Sequence, residues 1–407
     1  MARPGGSVLA VADPPAARQA RANPLLLVML GLSTGFGPLA TDMYLPALPE
    51  MSGDLGVPPA TVQFSIITCL VGLALGQLVS GTLSDRWGRR RPIVAGVAAF
   101  GVLSLLVALS PSAPVLIALR LLQGFAGGAG VVIARAVVRD LFAGRDAARV
   151  FSRLTLVFGL APILAPSLGG AVQRFSSWRG IFVVLGAFGL LLAALLAARL
   201  PETLPPARRA GGGLAALARS AGPILRDRVF LGYALAQALA FAALFGYVGN
   251  GSFVLQDGYG LPPTAFGLLF GLNAVGLTAL SQANARLLNR TAPRVLLLAA
   301  LAGLTAAGLV TLVAALLGNL AGLLAGLFVL ACSFGMTQPN SIALAMDRYP
   351  DRAGTAAAVL GPFPPAAAAL LGPLASLGPP GRGVPMAALI VGCAAAALLC
   401  LVTLTRE

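Results

Sequence analysis

The chain has 407 residues, 58% of them hydrophobic and 10% charged, with a formal net charge of +15, no His and no Lys. A soluble protein carries about 45–50% apolar and about 25% charged residues, so this composition excludes a water-soluble globular fold and indicates a polytopic membrane protein. The arginines fall in short loops between apolar runs, not in a basic domain interleaved with aromatics, which excludes nucleic acid as a partner.

Residues 1–23 are polar and Pro/Ala-rich and read as a disordered cytoplasmic arm. The apolar run behind them is too long for a signal peptide and has no small-residue cleavage site. Twelve apolar runs of roughly 20 residues follow, each long enough to cross a bilayer as a helix. They cover about 24–48, 61–84, 92–110, 114–138, 151–173, 178–200, 228–254, 264–287, 293–316, 319–345, 354–377 and 384–405. The expected fold is an all-α membrane protein, with twelve transmembrane helices in two pseudo-symmetric six-helix bundles. These are 24–200 and 228–407, joined by a Pro-, Gly- and Arg-rich cytoplasmic linker, 201–227. One side of the membrane receives Arg86, Arg89, Arg90, Arg91, Arg139, Arg145, Arg149 and Arg153, then the linker, Arg286, Arg290, Arg294, Arg348 and Arg352. The other receives Arg174, Arg179 and Arg382. That asymmetry places both termini and the linker in the cytoplasm.

The first run ends in GPLATDMYLPALPE (37–50), which puts Asp42 inside a membrane span. Arg120 lies about six residues inside the outer start of the fourth run. Counted at 1.5 Å per residue, both lie roughly 9 Å below the outer surface. Intramembrane charges face cavities or one another and mark ion paths. Asp42 is therefore the candidate proton carrier and Arg120 the group that tunes it; a static ion pair pinning the two helices is the structural alternative. Gln123 lies one turn below Arg120. Gly124, Gly127, Gly128 and Gly130 follow without the strand or Lys-Ser/Thr of a phosphate loop, so close helix packing is expected of them.

GTLSDRWGRRRPI (81–93) joins the second and third runs. Gly81 and Gly88 permit a tight turn, and Asp85 stands among Arg86, Arg89 and Arg90. A carboxylate at a helix C-terminus opposes the helix dipole, so a neighbouring helix N-terminus capped by Thr355 is the expected compensation. In APILAPSLGG (161–170), Pro162 and Pro166 bend the fifth helix, and Gly169 and Gly170 admit another helix. Gln237, Phe241, Phe245, Tyr247, Asn250, Asn273, Phe334 and Gln338 supply an aromatic, hydrogen-bonding cavity wall suited to a neutral amphiphile, with Asn340 nearby. Thr34, Tyr44 and Gln123 complete the candidate substrate contacts. Cys69, Cys332, Cys393 and Cys400 lie inside apolar runs without zinc or redox spacing and read as core residues. Pro362, Pro364 and Pro365 interrupt the eleventh run.

The 81–93 loop, RLLQGFAGGAG (120–130) and APILAPSLGG resemble the major facilitator superfamily and its drug:proton antiporters. TDMYLPALP (41–49), ARAVVRDLF (134–142) and PNSIALAMDRYPDRAGTAAA (339–358) resemble its Bcr/CflA branch. The likeness spans nearly all of 24–405. It implies a monomeric exporter of small drugs such as bicyclomycin, phenicols or sulfonamides. Its energy source would be the proton gradient, with no cofactor and no metal; its partners are the drug, protons and the lipid bilayer of the bacterial cytoplasmic membrane. It also implies that the 161–170 stretch packs between the two halves and limits leak. Thr34 stands where some related exporters carry a second acid, which argues against organic cations. Export of an endogenous metabolite and a non-transporting membrane sensor are the alternatives. An enzyme is not expected: there is no Ser/His/Asp set, metal cluster or nucleotide loop.

Overall fold

The computed structural model describes residues 24–142, 150, 161–162, 164–205, 222–349, 356, 359–376 and 381–405. No strand occurs among them. In chain order the helices are α1 (Pro24–Thr34), α2 (Phe36–Asp42), a 3-10 turn (Leu45–Ala47), α3 (Leu48–Asp54), α4 (Pro59–Trp87), α5 (Arg90–Ala108) and α6 (Ala113–Leu141). Then come α7 (164–175), α8 (Trp178–Arg199), α9 (Arg228–Ser252), α10 (Pro263–Leu287), α11 (Pro293–Leu317), α12 (Leu320–Asp347), α13 (Phe363–Leu371) and α14 (Val384–Leu404). Among the described residues, nine helices are long and apolar enough to cross a membrane, or ten if the bent pair at the start is one span. The fifth and eleventh expected spans lie partly outside the described residues, as do Arg145, Arg149, Arg153, Arg352 and Thr355.

The first span is not one straight helix. It bends by 44° between Thr34 and Phe36. Pro38 has no N–H to give the Thr34 carbonyl, and Gly35 lies at the break, so proline and glycine together account for the kink. The Thr34 hydroxyl turns back to the Gly31 carbonyl at 2.7 Å. Pro46 then sits within the 3-10 turn that leads into α3.

Small residues bring α4 and α6 into backbone contact. A Cβ added at Gly72 would overlap the Leu121 carbonyl, one at Gly76 the Phe125 carbonyl, and one at Gly124 the Cys69 carbonyl. The glycines after Gln123 thus serve packing, as their sequence context indicates. Inserting bulk into such a contact costs about 1–3 kcal/mol even where side chains can yield, and here the obstacle is backbone. Gly124→Val should therefore lower the yield of monodisperse protein and its thermal unfolding midpoint, read by fluorescence-detected size exclusion, whereas Gly81→Ala should not. A Cβ at Gly81 meets only Val132, at 3.7 Å.

At the arginine-rich end, Asp227 caps α9, accepting from Val229 N at 2.9 Å and Phe230 N at 3.4 Å. It also accepts from Arg348 Nε at 2.8 Å and the Tyr349 hydroxyl at 3.0 Å, tying α9 to the end of α12. Burial pushes this carboxyl up, but Arg348 and the other donors outweigh burial and hold it below the usual carboxylate range. Its contribution to stability is therefore present above that range and is lost as pH falls through the lowered value.

Candidate functional site

Three places gather the residues singled out by the sequence. The first is the end of α2. Arg120, on α6, is fully buried. Its Nη2 donates to the Ala40 carbonyl at 2.7 Å, and its Nη1 donates to Gln123 Oε1. Gln123 Nε2 donates to Ser104 Oγ at 2.6 Å, which draws α5 into the network. The guanidinium stacks 4.5 Å from the Tyr44 ring centroid and 5.5 Å from that of Phe182. The Tyr44 hydroxyl lies 2.8 Å from Ser65 Oγ.

Asp42 is half-buried. Its Oδ1 lies 2.8 Å from the Thr41 hydroxyl, which is also 3.0 Å from the Gly37 carbonyl. One hydroxyl proton serves one acceptor at a time, so Thr41 donates to ionised Asp42, or accepts from the protonated acid while donating to Gly37. The expected shared height of Asp42 and Arg120 brings α2 and α6 together, but the static ion pair is not formed. The reason is where α2 stops. Its last carbonyls have no following N–H, because Tyr44 (φ −98°, ψ 0°) leaves the helix for the 3-10 turn. Arg120 fills the Ala40 vacancy, as basic side chains do at helix C-termini. A buried guanidinium is thus met by a carbonyl, an amide oxygen and two aromatic faces, with no carboxylate within ion-pair distance among the described residues.

Tyr44 and Gln123, read from sequence as substrate contacts, need correcting for this conformation. Tyr44 is fully buried under Arg120, and Gln123 is fully buried with both ends of its amide engaged. Thr34 is likewise buried with its hydroxyl spent on its own helix.

The second place is the loop between α4 and α5. Gly88 takes φ +91°, which glycine alone adopts freely, and so turns the chain. Gly81 lies inside α4 and not at the turn. Asp85 is met by Arg89 Nη1 at 2.5 Å, one helical turn away across the Gly88 corner. Arg89 also donates to Ser84 Oγ at 2.8 Å and to Asp140 Oδ2 at 2.9 Å, which joins the loop to the end of α6. The Thr355 helix start expected to compensate Asp85 lies outside the described residues. Arg86 is exposed, and Arg90 Nη2 donates to the Ala197 carbonyl at 2.6 Å. Glu202, which the sequence reading missed, accepts from the backbone N–H of Arg89 at 2.8 Å and of Arg90 at 3.3 Å. A carboxylate there satisfies orphan amides and complements the positive end of α5. Thr203 adds a bond to Asp140 at 3.2 Å.

The third place is the seam between the halves of the chain. Gln63 Nε2 donates to Asn250 Oδ1 at 2.8 Å, Ser167 Oγ to the Gly267 carbonyl at 3.2 Å and Gln256 Nε2 to the Pro46 carbonyl at 2.8 Å. All three lie at the arginine-poor end, and among the described residues no hydrogen bond joins the halves at the other end. The 161–170 stretch belongs to this seam. Pro162 is helical and half-buried; the Pro166 carbonyl faces Gly267 and Gly170 packs on Pro263 across the seam, while Gly169 packs on the Met43 backbone within its own half. Gln63→Leu should remove its bond to Asn250 and loosen that end. The expected result is at least severalfold faster labelling of a cysteine placed at Gly249 by a hydrophilic maleimide added from the arginine-poor side; an unchanged rate would show that the pair holds nothing.

The predicted cavity wall divides. Phe241 stacks on Phe245 at 5.5 Å and tilts against Phe334 at 6.1 Å, one turn from Gln237. Gln237 is buried, and its Oε1 has no partner. Tyr247 stacks on Phe270 at 5.6 Å and accepts from Asn273 at 2.8 Å, while Asn250 is in the seam. Gln338 is exposed, and Asn340 pairs with Asn284 at 2.8 Å.

A polytopic helical membrane protein, with the half-buried Asp42 in its first span and a charged hairpin between its second and third, has the architecture of a membrane transporter, and its family makes it a transporter and not an enzyme. The chain matches the Major Facilitator Superfamily over residues 30–373 and belongs to it, among the Bcr/CflA-type drug exporters. It is 38% identical over 385 residues to "Uncharacterized MFS-type transporter YdgK" of Bacillus subtilis, covering 94% of this chain and 96% of that one. It is 34% identical over 357 residues to "Bicyclomycin resistance protein homolog" of Haemophilus influenzae, covering 88% and 90%. It is 31% identical over 325 residues to "Multidrug resistance protein MdtL" of Klebsiella pneumoniae, covering 80% and 81%. Among solved structures, a bacterial homologue of the human lysosomal transporter Spinster, inward-facing and unoccupied, aligns with a TM-score of 0.71 at 16% identity, covering 96% of both chains.

Proposed function

We propose that this protein is a proton-coupled antiporter that exports small neutral or amphipathic drugs of phenicol, bicyclomycin or sulfonamide type. It would act as a monomer in the bacterial cytoplasmic membrane, with both termini and the 201–227 linker cytoplasmic. Twelve spans would form two six-helix bundles, 24–200 and 228–407, that rock about a central cavity. The relatives named for bicyclomycin and multidrug resistance support the substrate class. The observation that carries the mechanism is Asp42: an intramembrane carboxylate whose neighbouring guanidinium is already committed to the Ala40 carbonyl and Gln123. Such an acid can take and release a proton without breaking an ion pair.

In this reading the seam at the arginine-poor end is the closed outer gate, and the conformation is inward-facing. Drug arriving from the cytoplasm displaces the proton from Asp42, the halves rock, drug leaves outward, and Asp42 is protonated again from outside. The Asp85–Arg89–Asp140–Glu202 cluster holds the inner ends of α4, α5 and α6 as one body during that motion. Pro162, Pro166, Gly169 and Gly170 keep the seam tight against leak. The driving force is the proton gradient, with no cofactor. The test is accumulation of labelled chloramphenicol in cells expressing the chain. Low accumulation that an uncoupler raises to the level of control cells fits the proposal. Accumulation equal to control cells with and without uncoupler contradicts it.

A further inference from the structure

The eleventh span is interrupted inside the membrane. Residues 359–360 are helical, 361–362 form a turn, and α13 begins at Phe363 with Pro362 as its N-cap. Pro364 and Pro365 fall in the first turn of α13, where a helix has no need of their amides. The carbonyls upstream do need them. In an unbroken helix Leu360 would be met by the N–H of residue 364 and Gly361 by that of residue 365, and both are prolines. The ladder resumes only where Ala366 N donates to the Pro362 carbonyl at 3.0 Å. Among the described residues nothing else donates to Leu360 or Gly361.

Gly361 and Pro362 are exposed, so protein does not cover the break. Bare backbone of this kind is not tolerated against lipid and occurs at membrane depth only where it is buried or lines water. α13 packs beside α9, and Gly372, just past its end, lines one small cavity with Gly249 and Asn250. Counted back from that level, helical rise puts Gly361 about 17 Å and Gln237 about 18 Å along the span, within one turn of each other. Gln237 is 4% exposed, and its Oε1 has no donor.

We propose that the Leu360 and Gly361 carbonyls and Gln237 Oε1 form a hydrogen-bond-acceptor subsite in the water-reached interior, which binds the N–H and O–H donors of the transported molecule. The identity of that molecule rests on the export reading above; the subsite itself does not. Because the prolines also strip donors from the start of α13, an anion finds no amide cradle there. The subsite selects neutral compounds with amide or hydroxyl protons, and discontinuous helices are a recurring place for such binding in transporters.

The test uses the full chain in inside-out vesicles. Gly361→Cys should react with a hydrophilic maleimide roughly tenfold faster than Leu370→Cys, whose exposed side chain belongs to the apolar surface. Chloramphenicol, which carries amide and hydroxyl donors, should slow labelling at Gly361→Cys severalfold. Pro364→Ala/Pro365→Ala, which returns the missing amides, should weaken chloramphenicol binding about tenfold, the effect of one hydrogen bond. Slow labelling of Gly361→Cys, equal to that of Leu370→Cys, overturns the inference whatever the protein exports. So does undiminished chloramphenicol binding by a folded Pro364→Ala/Pro365→Ala variant. If Gly361→Cys is labelled and protected while the wild type shows no proton-driven export, the export reading falls and the subsite stands.

Discussion

Asp42→Asn is expected to abolish uphill drug movement while leaving drug binding and downhill exchange in place. The substitution keeps the size of the side chain and its contact with the Thr41 hydroxyl, so α2 and its kink should survive. What disappears is the titration. Each pH unit across the membrane supplies about 1.4 kcal/mol per proton, enough for a tenfold drug gradient in one-for-one exchange. In proteoliposomes with an imposed pH difference the wild type should build such a gradient, and Asp42→Asn should stop at equal concentrations. Counterflow of labelled against unlabelled drug, which needs no proton, should persist in the variant. A gradient in Asp42→Asn equal to that of the wild type would remove the residue from coupling.

Arg120→Ala is expected to damage both the fold and transport. It leaves the Ala40 carbonyl and one end of Gln123 without partners inside the protein, and each orphaned buried group costs about 1–3 kcal/mol. It also empties the space between Tyr44 and Phe182. The variant should therefore express poorly and unfold at lower temperature. Arg120→Lys separates the two roles. An ammonium retains the charge and can reach either Ala40 or Gln123, but it lacks the fork to hold both and the flat face to stack on Tyr44. It should be recovered folded, bind drug, and transport at well below the wild-type rate with a displaced pH profile. Equal activity and an unchanged pH profile in Arg120→Lys would show that only the charge matters.

Much of this arrangement could be read from residues in order. Apolar run lengths placed the described helices to within a few residues, because bilayer thickness sets helix length and little else competes. The three prolines of the eleventh run announced its break, and the glycines after Gln123 announced close packing. Rise per residue brought Asp42 and Arg120 to one height, but could not say where α2 would end. That end, set by Pro38, Gly35 and the 3-10 turn at Pro46, turned Arg120 toward a carbonyl and buried Tyr44 beneath it. Glu202 was illegible for another reason: it acts on the backbone amides of Arg89 and Arg90, 113 and 112 residues away in sequence, and a backbone contact leaves no partner residue type to search for. The aromatic residues of the second half fall into two groups that their order does not announce: Phe241 packs with Phe245 and Phe334, and Tyr247 with Phe270 and Asn273.

The most direct test of the account is the proton itself. Purified protein in weakly buffered solution, near the pH at which Asp42 is half protonated, is mixed with chloramphenicol while a pH indicator is followed. The wild type should release protons in proportion to drug bound, and Asp42→Asn should bind drug and release none. Equal release from both proteins would contradict the assignment of Asp42 as the coupling site.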